Sequence, residues 1–267
     1  MVTKKELAAK IDSHFLSHIQ KEKGVWKINA QEVYYRDLNV LLRTMNGNGV
    51  KKIEITNVFG QRYIGTNLEG TVNIDIYGTP GNDLGAFMNG PKVTVYGNAQ
   101  DCCGNTMNQG QIVVHGRSGD ITGYSMRGGK IFIRDDVGYR AGIHMKEYHE
   151  KRPYLVVGGT AQDFLGEYMA GGVLVVLGLN LKTGERHKAK YVGTGMHGGV
   201  MYIRGGVTHL GKEVDVMDLN VDDKKVLHNL VNQYCDQFGG NTEEILRNKF
   251  IKIIPVSHRP YGRLYAY

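Results

Sequence analysis

Apolar residues alternate with other residues in seven short segments: VNIDIYG, KVTVYG, QIVVHG, KIFIRD, YLVVGG, VLVVLG and VMYIRG. Alternation in β-branched sequence predicts strands, because successive strand side chains point to opposite faces. One aligned face reads Ile74 and Ile76, Val93 and Val95, Ile112 and Val114, Ile131 and Ile133, Leu174 and Val176, Met201 and Ile203. These residues are expected to point inward. The opposite face is mixed, with Asp75, Thr94, Val113, Phe132, Val175 and Tyr202. Helical spacing is confined to the flanks. Leu7, Ile11, Phe15 and Ile19 recur every four residues, which predicts an amphipathic helix over 1–23 with a Thr3–Glu6 capping box and Gly24 as its stop. A second helix is predicted over Asp37–Gly49, and both are expected to cap an open end of the strand region. Asp222–Phe238 is predicted helical, with Val226, Leu227, Leu230, Val231 and Tyr234 on its apolar face and Gly239–Gly240 ending it. A short helix at NTEEILRNK and an extended KFIKIIP follow, before a tyrosine-rich tail.

The strands belong to an internal repeat. Gly-x-x-Met occurs at Gly85–Met88, Gly104–Met107, Gly123–Met126, Gly142–Met145, Gly166–Met169 and Gly193–Met196, with a weaker first copy at Gly65–Leu68. The intervals are 20, 19, 19, 19, 24 and 27 residues, and six of the ten methionines fall in this one column. The residue before each repeat glycine forms a second column: Ile64, Leu84, Cys103, Thr122, Ala141, Leu165 and Val192. One rung cannot bury such a face alone, but stacked rungs form a continuous core. The pattern predicts an all-β repeat fold, a right-handed parallel β-helix of about seven coils over 49–205. A helical N-terminal cap at 1–48 and a helical or extended C-terminal flank at 206–267 enclose it. The left-handed hexapeptide helix is the competitor, but no aliphatic residue recurs here at every sixth position. The two long intervals locate insertions, Lys146–Pro153 and Asn180–Lys190. Both are polar and are expected to be surface loops able to carry contacts.

Composition sharpens this picture. The chain has 267 residues, 37 of them glycine against five prolines, which fits a protein of many tight turns. The formal charge of +7 comes from 33 basic and 26 acidic residues scattered along the chain. Nucleic-acid binding would call for a clustered basic stripe with stacking aromatics. No apolar h-region follows the N-terminus, and the longest apolar run, Gly171–Leu179, is too short to span a bilayer. Three cysteines form neither a disulfide framework nor a metal-ligand spacing, so a cytoplasmic protein is expected.

Candidate chemistry is sparse. GTGMHG (Gly193–Gly198) matches a dinucleotide fingerprint, with Glu213 twenty residues beyond its first glycine. A strand follows instead of the helix that would meet a pyrophosphate, so the motif reads as a repeat corner. Cys102 and Cys103 are adjacent, yet Cys103 falls in the inward column, where a thiol acts as a small hydrophobe. His144, His149 and Glu150 lack the spacing that places two imidazoles on one helical face. The methionine column reads as core filler. No catalytic residue, cofactor-binding residue or metal ligand is assigned, and no cofactor is expected.

The Gly-x-x-Met ladder resembles the C-terminal β-helix domain of the glutamate synthase large subunit. GNTMNQGQIVVHG, GYSMRGGKIFIRD and GEYMAGGVLVVLG carry most of the likeness, with LNVLLRTMNGNG and KFIKIIP resembling that domain's flanks. A scaffold component of formylmethanofuran dehydrogenase shares the repeat. The resemblance implies a structural role, linking a glutaminase to an FMN and iron–sulfur synthase, with no activity of its own. Those subunits are then the expected partners, without nucleic acid or membrane, and a homo-oligomer stays open. The alternatives are the equivalent scaffold of a one-carbon molybdenum or tungsten enzyme and an independent carbohydrate-active β-helix protein.

Overall fold

The computed structural model describes residues 15–182 and 184–257. The predicted strands form one sheet wound into a parallel β-solenoid. Nine strands pair in parallel in chain order: β2 (Val25–Asn29), β3 (Lys52–Phe59), β4 (Asn73–Thr79), β5 (Asn89–Tyr96), β6 (Gln109–Val114), β7 (Gly129–Ile133), β8 (Pro153–Val157), β9 (Ala170–Val176) and β10 (Gly198–Arg204). The register aligns identical repeat positions. One inward row runs Ile28, Ile55, Ile76, Val95, Val114, Ile133, Val157, Val176 and Ile203. All of them are buried, as is the methionine column with Leu68 at its head.

The solenoid makes about six turns, fewer than the seven expected. Seven repeat corners enclose six full intervals, so counting corners overstates the turns by one. The helical flanks are also smaller than expected. Residues 1–14 of the expected first helix lie outside the described residues. The rest of it is not an α-helix: Phe15–His18 is a 3-10 turn, and β1 (Ile19–Glu22) forms an antiparallel hairpin with β2. Lys23 and Gly24, both at positive φ, make the two-residue turn, so Gly24 turns a hairpin rather than ending a helix. Only Ile19 of β1 is buried, against Ile28, and its remaining three residues face solvent. The four-residue spacing of apolar positions therefore did not continue through Ile19 as a helix.

The other predicted flanking elements are present. Helix α1 (Tyr35–Gly47) buries Leu38, Leu41, Leu42 and Met45. Helix α2 (Val221–Phe238) starts at a capping box of Asn220 and Asp223 and ends at Gly239. Helix α3 (Thr242–Leu246) and β12 (Phe250–Pro255) follow. Strand β12 pairs antiparallel with β10 and carries β11 (Val214–Met217) on its other edge, so the sheet continues beyond the repeat.

The outward strand face divides in two. Across the sheet one row reads Glu54, Asp75, Thr94, Val113, Phe132, Val156, Val175 and Tyr202. From Val113 onward it is apolar and buried beneath Leu227, Leu230, Val231 and Tyr234 of α2. The mixed character of this face in sequence is thus a boundary, the edge of the area α2 covers.

The corners set the coil length. Gly104, at φ 72°, carries the turn, and a Cβ there would lie 2.2 Å from Cδ1 of Ile131 in the next coil. Alanine at this position is strained in both backbone and packing. Backbone N–H groups at the corner alternate in direction. Gly123 donates back to the Cys103 carbonyl at 2.7 Å, while Ile121 and Ser125 donate forward to Tyr139 and Ile143. No hydrogen-bonding capacity is lost at these N–H groups although the segment is irregular. Aspartates add a second tie. The Oδ1 atoms of Asp101, Asp120, Asp136 and Asp163 accept N–H bonds from Asp120, Tyr139, Thr160 and Lys190 in the following coil. These acids are dispersed in sequence because each serves one rung.

Candidate functional site

The corner that carries Gly-x-x-Met places two residue columns at positive φ besides the glycine. The first is Tyr63, Asp83, Cys102, Ile121, Arg140, Phe164 and Tyr191; the second includes Asn67, Phe87, Thr106, Ser125, His144 and Tyr168. Left-handed backbone is uncommon for such side chains, and here the N–H groups are held between neighbouring coils. Toward the C-terminal end these columns become aromatic. Phe164 stacks on Tyr191 with ring centroids 4.9 Å apart, and the Arg140 guanidinium lies 4.7 Å from the Phe164 ring. His144 stacks on Tyr168 at 5.4 Å, with Tyr124 edge-on to it. Arg140 also donates through Nε to Glu167, the residue before Tyr168, at 2.8 Å. Tyr139, Tyr168 and Tyr191 remain substantially exposed. A ridge of tyrosine, histidine and arginine has the composition of a protein-binding surface. It is the candidate functional surface of this chain.

A second aromatic row lies on the strand side. Tyr77, Tyr96 and His115 stack at 4.8 and 5.0 Å, and His115 meets Phe238 at the end of α2. Burial, helped by the charge of Arg134, holds the His115 imidazole below its ordinary pKa. Phe59, 92% exposed, stands near this row beside Tyr77, where Val58 and Gln61 line a shared hollow.

The chemistry-bearing residues singled out in the sequence are distributed as repeat positions. Cys103 is fully buried, and burial pushes its thiol up to about 12; burial and the nearby Asp83 and Asp101 push Cys102 up to about 11. Neither is a thiolate at neutral pH. His144 belongs to the aromatic ridge, whereas His149 packs edge-on against Tyr148 in the inserted loop. In GTGMHG, the Tyr168 ring covers Gly195, where a Cβ would lie 2.4 Å from the ring. The Gly195 N–H donates to Glu213 at 3.0 Å. Glu213 therefore anchors a turn, and β10 starts at Gly198. Among the described residues no group of three or more His, Cys, Asp or Glu could hold a metal ion. No helix among them is long and apolar enough to cross a membrane.

The sequence aligns Cys102 with Tyr63, Asp83, Ile121, Arg140, Phe164 and Tyr191 as a mixed outward column, so half of the ridge is legible there. The second column was missed because its members differ in type from rung to rung, and the signal that could have found it is their shared offset, two residues after the repeat glycine.

Comparison with known proteins places this geometry. The uncharacterized protein MJ1350 of Methanocaldococcus jannaschii is 45% identical over 249 residues, covering 90% of this chain and 95% of its own length. The family model described as GXGXG motif matches residues 36–256, from the start of α1 through the end of β12. The chain belongs to the GXGXG motif family, found in the C-terminal region of the glutamate synthase alpha subunit.

Proposed function

We propose that this chain is the structural β-helix component of a glutamate synthase-type assembly, linking a glutaminase to an FMN and iron–sulfur synthase in glutamine-dependent glutamate formation. The supporting observation is the family match across 36–256, together with a ladder whose glycines, methionines and aspartates all act in stacking one coil on the next. In this reading the chain performs no chemistry itself and is a cytoplasmic subunit. The coil is right-handed, in keeping with turns of 19 residues or more rather than hexapeptide repeats. The aromatic ridge around Tyr168 and Tyr191 is the surface that meets a partner.

Affinity purification from the native cell tests this. The expected outcome is co-elution with a glutaminase and a flavin-dependent synthase, lost in a Tyr168→Ala/Tyr191→Ala variant that keeps its circular dichroism and melting temperature. Elution alone, or with the subunits of a molybdenum or tungsten enzyme, overturns the assignment.

A further inference from the structure

The end of β10 and the inserted loop enclose a second kind of surface. A cavity of about 440 Å³ lies between them, lined by Lys182, Arg186, Arg204 and Lys249, with Glu185 as the one carboxylate residue in its lining. Glycines Gly184, Gly205 and Gly206 line it as well, so little side-chain bulk fills it. Glu185 is already engaged. It accepts the Lys182 N–H at 3.1 Å and faces Lys188 at 3.7 Å. The cavity is thus strongly positive in a chain whose basic residues are otherwise dispersed.

Arg204 gives the cavity a definite binding element. Its Nε and Nη2 donate to the carbonyls of Leu177 and Gly178, which fix the guanidinium against the preceding coil. Its own carbonyl accepts from the buried His187 ring at 2.9 Å. A guanidinium has five N–H donors, so about three remain beyond these two. No carboxylate pairs with Arg204 among the described residues, and partial burial alone acts on it, lowering its pKa. A partly desolvated, unneutralised cation held in a fixed orientation is suited to forked recognition of an oxyanion. The cavity volume falls within the range of small-molecule sites.

We propose that this cavity binds a compact anion carrying two or more negative charges through phosphate or carboxylate oxygens, held by the free edge of Arg204 and flanked by Lys182, Arg186 and Lys249. This stands independently of the scaffold reading. It gives Lys182 and Arg186, the basic residues that the Asn180–Lys190 insertion contributes to the lining, a common ligand.

Isothermal titration of the full chain with pyrophosphate and with citrate, in buffer of constant ionic strength set by chloride, tests it. The expected result is saturable one-site binding of at least one of the two. Affinity should fall at least about tenfold in Lys182→Gln/Arg186→Gln, whose residues are exposed, and again in Arg204→Lys, which keeps the charge but loses the fork. The exposed double variant decides the matter if Arg204→Lys does not fold. Absence of saturable binding at millimolar anion overturns the proposal. Binding that both variants leave unchanged, or that chloride matches at equal ionic strength, does the same.

Discussion

Met126 is fully buried in the middle of the methionine column, between Met107 and Met145 one coil away on either side. Truncation to alanine should cost about 2–5 kcal/mol, a transfer loss plus a cavity. Leucine, of similar volume, should cost less than about 1.5 kcal/mol. Urea unfolding of both variants checks this, and an alanine variant as stable as the parent would refute the core-filler reading. The column was legible because one side chain recurs at one offset. Its consequence in the next coil was not. Cβ atoms at Gly129, Gly172 and Gly199 would lie 2.3, 2.9 and 2.7 Å from the Cε atoms of Met107, Met145 and Met169. At these three rungs the methionine of one coil leaves room only for a glycine in the next, whereas the coil after Met126 carries Pro153 at the position equivalent to Gly129. Spacing along the chain does not display such contacts between coils. The cysteines allow a second measurement. With burial holding the Cys103 thiol up at about 12, it should resist a thiol reagent at pH 8 in the native protein and react promptly in denaturant. Rapid native labelling of Cys103 would contradict its place in the inward column.

At the scale of elements, α2 shows what period-based reading finds and what it leaves out. Its range and apolar face follow from the spacing of Leu227, Leu230, Val231 and Tyr234, but spacing does not say which surface that face covers. The answer is in the outward strand row, where Val113 to Tyr202 are apolar and Glu54 to Thr94 are not. The contrast emerges only once the register is known. The N-terminal hairpin was misread because the apolar residues at 7, 11, 15 and 19 fit a helix, whereas Lys23–Gly24 supply an equally local hairpin turn. At its start α2 is fastened by Asp223, whose carboxylate accepts from Tyr202 at 2.6 Å and Lys252 at 2.8 Å. Burial by itself would raise the Asp223 pKa, but the bonds from Lys252, Tyr202 and the Asn220 N–H outweigh it and hold the pKa below the ordinary value. A depressed carboxylate pKa stabilises the fold above the unfolded-state value of about 3.9, and that contribution is lost as pH falls through the lower folded value. Asp223→Ala should destabilise by about 3 kcal/mol at pH 7, since it strands the Lys252 ammonium. The difference from the parent should shrink below about pH 4. Chemical denaturation at pH 7 and pH 3.5 measures both, and a pH-independent difference would show that Asp223 acts by packing alone.

Over the whole molecule, a solenoid contacts itself only between neighbouring coils, so its stability is close to a sum of local terms. The terms are unequal here. Inward rows run the full length without interruption, from Ile28 to Ile203. The outward face has a second core only where α2 lies, against β6–β10. Along β3–β5 that face carries the Lys52–Asp75 ion pair and the exposed Tyr77 and Tyr96 instead. A partly exposed ion pair is worth about 0–1 kcal/mol, whereas each fully buried aliphatic or aromatic side chain contributes about 1.5–3 kcal/mol. The Tyr234 hydroxyl adds a bond to the Arg134 carbonyl at 2.9 Å, and Lys130 reaches Gln233 at 2.7 Å, so α2 also bridges coils. Opening should therefore begin at the N-terminal coils and reach β6–β10 only near global unfolding. Hydrogen exchange followed by mass spectrometry should show amides of β3–β5 exchanging at least about tenfold faster than those of β7–β9 under native conditions, a gap of about 1.4 kcal/mol. Leu230→Ala should narrow the gap by speeding exchange in β7–β9 while leaving β3–β5 unchanged. Uniform exchange along the ladder, or an effect of Leu230→Ala spread equally over all strands, would mean that the inward stack alone sets cooperativity and that α2 is a passenger on it.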